Sequence, residues 1–490
     1  MPKPRSSSAK ASLDVKAPIL LAVICALTLY AIAIGSLGVV AKWGLAILAL
    51  LAFGELIRKR MNFTRVFYGI YLMGGKHGIG TIERLSKSGQ WFWKGLADWG
   101  MVLGFGLLSY LMFRKDISRR MIAFGILSML FFLVVVLPNL LASISFINIP
   151  GLGGIQQQQP SVQLSLPVTA LQYALYAISI IGGFFLYLIA SMVYGAVVIL
   201  WGIADFLISA ANAAPNYSIL TNQVPGAAPI IPGITIPIFS GVIALAIILV
   251  VHEFSHGVLA RIAGIKVKTV GLLLVGIVPL GAYVEPDEKA ILKLKKREQN
   301  RIFSAGIASN LLFSIVFLAL MLLVVLYVLP HFISTAVVVS STVPGSAAYN
   351  AITPGSTVLK WNGHEIKNLS GLQQVARNDT PYSNVSLVTD RGAFVLHTNS
   401  TGKIGVLLNQ VTTITRNSPV SAAVYFLYSL FALSFLLNLF VGMFNLLPLP
   451  GLDGWRIFNA SIKSRNVIKW LMFLSIVCIA INFLPWVWRI

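Results

Sequence analysis

Apolar runs of membrane-spanning length recur along this chain, near 18–38, 39–57, 97–113, 120–142, 169–189, 190–210, 233–256, 302–329, 419–447 and 468–488. A helix needs about 20 consecutive apolar residues to cross the hydrocarbon core of a bilayer. The pattern predicts a polytopic α-helical membrane protein with about eight to ten spans. Composition points the same way: with 57% hydrophobic and 11% charged residues, the chain cannot be a soluble globular protein.

The formal charge of +22 raises the question of nucleic acid, but the basic residues sit in short loops beside the apolar runs. Arg58-Lys59-Arg60, Arg114-Lys115, Arg119-Arg120 and the stretch Lys293–Arg301 are examples. That placement is the positive-inside signal of membrane topology, and no nucleic-acid partner is expected. The first run follows Lys3, Arg5, Lys10 and Lys16 and resembles a signal peptide in outline. With many spans behind it and no convincing cleavage site, it reads as an uncleaved first helix. Cys25 and Cys478 both lie inside apolar runs and define neither a disulfide framework nor a thiolate metal site.

The chemistry concentrates at His252-Glu253-Phe254-Ser255-His256, which closes the apolar stretch 233–251. At helical spacing His252 and His256 project from one face, with Glu253 beside them. Two imidazoles so placed hold a zinc ion while a carboxylate handles the proton of a water. Ionisable groups at membrane depth are expensive and default to function. Two histidines leave zinc short of a ligand. Glu55 lies next to basic residues, where it is cheaply solvated; Asp205 lies in an apolar run and remains open. Asp453 is the better candidate, because Pro448 and Pro450 force irregular chain just before it, which membrane depth tolerates only where the chain lines protein or a cavity.

His252-Glu253-x-x-His256, followed downstream by Asn445-x-x-Pro448-x-Pro450-x-Leu452-Asp453-Gly454, resembles the site-2 protease family of intramembrane zinc metalloproteases. Gly276-x-x-Pro279-x-Gly281 looks like that family's membrane-embedded hairpin, and Ala305-Gly306 with Asn310 resembles its next helix. Ile307 stands where many members carry proline. The likeness covers roughly 219–490, and the run 265–287 looks most like longer archaeal members. It implies one zinc ion per chain, held by His252, His256 and Asp453, with Glu253 as the catalytic base. A neutral donor could stabilise the oxyanion in so dry a site. Asn445 and Asn310 are the candidates, helix packing being an equal alternative for each.

The apolar residues after Gly271 form a run too short to span and broken by Gly276, Pro279 and Gly281. It must return to the side it came from, as a hairpin on which an unwound substrate could pair as an added strand. Residues 335–412 form a soluble-looking island, and Pro344-Gly345-Ser346-Ala347 with Pro354-Gly355-Ser356-Thr357-Val358-Leu359-x-Trp361-Asn362-Gly363 resembles the PDZ domains this family inserts between its motifs. Ser356 replaces the usual Asp, so no ligand preference carries over. The island either binds a peptide segment or acts as a steric gate. Asn368, Asn378, Asn384 and Asn399 stand in Asn-x-Ser/Thr patterns that agree with an external position.

Five regions follow: an N-terminal transmembrane part (1–210), an external Pro/Ala-rich loop (211–232), the first catalytic part (233–330), the PDZ-like island (335–412) and the second catalytic part (417–490). The uncharged loop 143–168, with Gln156–Gln159, also reads as external. Basic residues after the His256 helix place the site toward the cytoplasm and the island outside, and the resemblance implies a prokaryotic cell membrane of archaeal type. The expected partners are single-span or other membrane-protein substrates. A metal transporter using the same ligands is the alternative, against which Glu253 argues, since a base beside the metal serves hydrolysis. A scaffold built around the island would bind no metal.

Overall fold

The computed structural model describes residues 16–34, 39–61, 63–75, 78–138, 166–212, 215–221, 223, 225–227, 230, 232, 235–276, 278–414 and 418–487. Residues 143–165 of the expected outer loop, including Gln156–Gln159, lie outside the described residues.

Among the described residues, six helices are long and apolar enough to cross a membrane: Arg119–Val136, Ala170–Ala211, Ile238–Ile262, Ala305–His331, Pro419–Phe444 and Arg465–Trp486. The first two apolar runs also fold as helices, Lys16–Ile34 and Val39–Met61. The run at 97–113 behaves differently. Its helix, Gln90–Phe105, has 16 residues and stops at Gly106, whose φ of 52° is left-handed; at 1.5 Å per residue it is about 24 Å long, short of the hydrocarbon thickness. The runs 169–189 and 190–210 join into the single stretch Leu166–Ala211, broken at Gly183 (φ 61°, ψ −157°). There the Gly104 carbonyl comes so near that a Cβ on Gly183 would lie 2.5 Å from its oxygen. The Leu107 N–H takes up the Ile180 carbonyl at 3.0 Å, satisfying a backbone group that the break would otherwise leave bare.

The helices Ile238–Ile262, Ala305–Leu323 and Pro419–Phe444 pack on one another as the centre of the molecule. Ala244, Ile248, Leu433 and Leu437 fill one seam between them. The N-terminal region packs directly on this centre. A Cβ on Gly100 would sit 2.3 Å from that of Ala308, so the Gln90–Phe105 helix crosses the Ala305–Leu323 helix at backbone contact.

Two sheets accompany the helices. The first has the order β1-β2-β3-β4, built from Thr64–Phe67, Ile70–Gly75, Val267–Val275 and Val278–Pro286, each strand antiparallel to the next. The expected hairpin is present as β3 and β4, turning at Gly276 (φ 62°). It is half of a larger sheet, because β2 pairs with β3 from Ile70↔Val275 to Gly75↔Val270. The turn is docked: the Gly276 N–H donates to the Gly69 carbonyl at 2.8 Å, and a Cβ on Gly54 would meet the Gly276 backbone at 2.5 Å. Only glycine at both places lets the Val39–Met61 helix cross this turn.

The second sheet has the order β10-β5-β6-β8-β9, with β7 beside β6. Its strands are β5 Ile333–Thr342, β6 Thr357–Trp361, β7 His364–Glu365, β8 Asn384–Thr389, β9 Gly392–His397 and β10 Val406–Ile414. Asn362 and Gly363 both adopt positive φ (46° and 81°) between β6 and β7, the hairpin turn their sequence calls for. The Leu369–Ala376 helix, capped by the Asn368 side chain, lies beside β10 and β6. Val337, Val339, Val358, Val385 and Leu387 form a core distinct from the helical one. The unit begins and ends at one place, since Ile333 pairs with Ile414.

Candidate metal centre

The Ile238–Ile262 helix is apolar almost throughout and buries His252 and His256 one turn apart on one face. Their rings meet edge to face with centroids 4.9 Å apart. Asp453 comes from the other end of the core. After the Pro419–Phe444 helix ends at Asn445, the chain folds back on itself: the Leu452 N–H donates to Leu449 and the Gly454 N–H to the Asn445 carbonyl at 2.7 Å. Gly454 has no room for a side chain, since a Cβ there would lie 2.3 Å from the Leu446 oxygen. The result starts a new helix, Asp453–Ser461, with Asp453 in its first turn and buried.

The three side chains converge. Asp453 Oδ2 lies 3.1 Å from His252 Nε2 and 3.2 Å from His256 Nε2. Two ligand atoms about 2.1 Å from a tetrahedral metal ion stand roughly 3.4 Å apart, so the spacing suits a shared ion. The protonation pattern agrees. His256 Nδ1 stands 2.7 Å from the Ile302 carbonyl, which can only accept, so Nδ1 carries a proton and Nε2 is the nitrogen left to act as a ligand. Asp453 Oδ2 is buried and has no hydrogen-bond partner among the described residues. A ring nitrogen and a carboxylate oxygen at this distance share a proton or a cation; a proton serves one pair, and a metal ion would serve all three atoms. Among the described residues this is the one group of three or more His, Cys, Asp or Glu side chains close enough to hold a metal ion, and its donor set of two imidazoles and a carboxylate fits zinc.

A cavity of about 490 Å³ opens onto these groups. Glu253, Tyr283, Val284, Asn445 and Arg456 line it with them. Glu253 Oε2 accepts from the Val284 N–H at 3.2 Å, so β4 turns its outer edge toward the site while its inner edge pairs with β3. The other predicted residues are placed as follows. Asn445 faces the cavity and donates to Val441 O. Asn310 is fully buried with Nδ2 3.1 Å from His252 Nδ1, behind that ring from Asp453. Gly276, Pro279 and Gly281 lie toward the tip of the hairpin, and the β4 residues that line the cavity are Tyr283, Val284 and Pro286. Asp205 is exposed and Glu55 is paired with Arg58 at 2.6 Å; neither joins the cluster.

Four supporting groups have no role that the sequence motifs assign. Gly306 lies flat against His252, where a Cβ would be 2.3 Å from its Cε1 and Nε2. The Ile302 carbonyl orients His256 and the Val284 N–H holds Glu253. The fourth, Asp98, is 199 residues from its nearest partner in sequence. It accepts from Arg301 Nε and an Arg301 terminal nitrogen, both at 2.7 Å, and from Arg297 at 3.0 Å. Burial opposes the charge on Arg301, and the Asp98 and Glu298 carboxylates outweigh it, holding the guanidinium above its ordinary value. The network anchors the Lys296–Phe303 helix, which supplies the Ile302 carbonyl. An acidic residue inside an apolar run was the available signal for Asp98.

Comparison with known proteins covers this part of the molecule. Residues 240–481 match the family profile of Peptidase family M50. Over 233 residues the chain is 30% identical to an uncharacterized protein of Methanocaldococcus jannaschii, a stretch amounting to 46% of this chain and 58% of that one. The chain thus spans less than two thirds of the length of the curated relative it matches. With six apolar helices among the described residues it is an integral, multi-pass membrane protein. The matched segment holds His252, Glu253, His256 and Asp453 together with the helices that bring them into one cluster, and over this segment the chain is similar to Peptidase family M50.

Proposed function

We propose that the chain is an intramembrane zinc endopeptidase that cleaves transmembrane segments of other membrane proteins. The observation that carries this is the convergence of two imidazole Nε2 atoms and a buried, unpartnered carboxylate oxygen on one point, beside a cavity lined by Glu253. His252 Nε2, His256 Nε2 and Asp453 Oδ2 would hold the ion. A zinc ion bound there supplies Lewis acidity, toward a water and toward the scissile carbonyl.

Glu253 takes the proton of the attacking water on its carboxylate and passes it to the leaving amine. The Val284 N–H supports this by fixing Oε2 over the cavity. Ile248, Leu249 and Val441 keep bulk water from the walls, which strengthens each charge interaction inside. The substrate must be unwound first, since a helix hides its peptide bonds. With β2 covering β3, the outer edge of β4 is the place where an extended segment adds as a strand beside Glu253. Asn445, in the cavity, is the candidate donor to the oxyanion.

Residues 333–414 read as a PDZ-like unit that screens substrates. Supporting this, β10 closes one end of the sheet and the Leu369–Ala376 helix runs beside it, the arrangement in which a peptide strand docks. The basic loops favour a site toward the cytoplasm with this unit outside. The test is a panel of single-span membrane proteins exposed to wild type and Glu253→Ala, with zinc content measured in both. Cleavage by wild type alone, at equal zinc content, is expected; cleavage by both would sink the reading.

A further inference from the structure

The geometry points to Asn310 as a positioning residue for the metal ligand His252, acting through the ring nitrogen remote from the ion. This inference rests on the metal-site reading above. Asn310 is on the Ala305–Leu323 helix, one turn beyond Gly306, and both face His252. Gly306 supports the face of the ring; Asn310 meets its Nδ1 edge at 3.1 Å, and both Asn310 and His252 are buried.

A neutral imidazole that gives Nε2 to a metal ion carries its proton on Nδ1. Nδ1 then donates, and what faces it must accept. For His256 that acceptor is the Ile302 carbonyl. For His252 the only polar group within hydrogen-bond distance of Nδ1 among the described residues is the Asn310 amide, with Nδ2 toward the ring. The amide oxygen, buried, has no other partner, so nothing opposes a half-turn that brings Oδ1 to Nδ1. The oxygen and nitrogen ends are alike in shape. An asparagine can therefore serve both states of the ring. With the ion bound, Oδ1 accepts from Nδ1–H. Without it, Nε2–H turns to Asp453 and the Asn310 Nδ2 donates to Nδ1. In both states the ring keeps its plane and its aim.

The test is zinc affinity, measured by chelator competition on the full chain in detergent, with thermal unfolding to confirm folding. Asp453→Ala should lose zinc; zinc binding like wild type there would overturn the metal site itself, whatever Asn310 does. Given that loss, Asn310→Leu, which keeps the branched shape and removes both polar atoms, should weaken zinc about 10- to 100-fold. If Leu blocks folding, Asn310→Ala should show the same loss. Asn310→Asp keeps an acceptor and should restore affinity to within a few-fold of wild type. Wild-type affinity in Asn310→Leu or Asn310→Ala would overturn the inference, as would an Asp variant as weak as the Leu one. A role as donor to the oxyanion predicts unchanged affinity in every Asn310 variant, with activity lost, and that outcome also refutes it.

Discussion

His252 is held on three sides, by Asp453 at Nε2, Asn310 at Nδ1 and the bare backbone of Gly306 at its face. The last of these permits a sharp prediction. A methyl group on Gly306 would stand 2.3 Å from Cε1 and Nε2, well inside contact distance, and the ring must swing away from Asp453. Gly306→Ala should therefore weaken zinc by about 10- to 100-fold, as disturbed ligand support does elsewhere, while the helix it sits in tolerates alanine well. Chelator competition reads this, and undiminished zinc affinity would show that the ring has another place to go. Glu253 behaves in the opposite sense, since it lines the cavity without belonging to the three-residue cluster. Glu253→Gln should retain zinc and lose proteolysis by about 10²- to 10⁴-fold, the range of a general base. Loss of zinc in that variant would move Glu253 into the ligand set.

Between elements, the Asp98 network ties a helix outside the family-matched segment to the one that orients His256. Removing one partner of a buried pair leaves the other charge without compensation and destabilises by about 3–5 kcal/mol. Arg301 is 8% exposed and Asp98 5%, so solvent cannot make up the difference. Asp98→Ala should lower the thermal midpoint in detergent sharply, and Asp98→Glu should recover part of it. A midpoint equal to wild type in Asp98→Ala would mean that Glu298, 2.6 Å from Arg301, suffices alone. At the same scale, strand pairing explains how the β3–β4 hairpin is held. Its β3 edge is covered by β2, its turn is bonded to Gly69, and only β4 retains an open edge, the one that meets Glu253. The Thr64–Phe67 and Ile70–Gly75 strands carry no motif, and such short sequences cannot announce a partner about 200 residues away.

For the whole molecule, the unit at 333–414 has its own core and enters and leaves through paired residues, Ile333 and Ile414. Domains inserted in this way are removable, because the ends to be rejoined already lie side by side. The excised unit should unfold cooperatively on its own, as followed by circular dichroism. A chain in which a short Gly/Ser linker replaces 334–413 should still bind one zinc ion. Failure of the shortened chain to bind zinc, while the excised unit folds, would show that the unit braces the helices on either side of it.

How much of this was legible in the chain differs by kind of interaction. His252, Glu253 and His256 are local: one helical turn puts them on one face, and their cost in an apolar run marks them. The six long apolar helices among the described residues are likewise written in composition. So is the returning hairpin, whose length forbids a crossing, and the Asn362-Gly363 turn, which needs positive φ. Asp453 was nominated by the prolines before it, but only the fold-back from Asn445 to Gly454 brings its oxygen to both imidazoles. The count of crossings also had to wait, since the breaks at Gly106 and Gly183 depend on the close approach of two helices. Asp98, Gly306, the Ile302 carbonyl and the β2–β3 pairing act across long separations or through backbone atoms. Periodicity and residue type record what one segment does with its own neighbours in sequence. Which remote segment supplies the countercharge, the flat surface or the acceptor is decided when the helices pack.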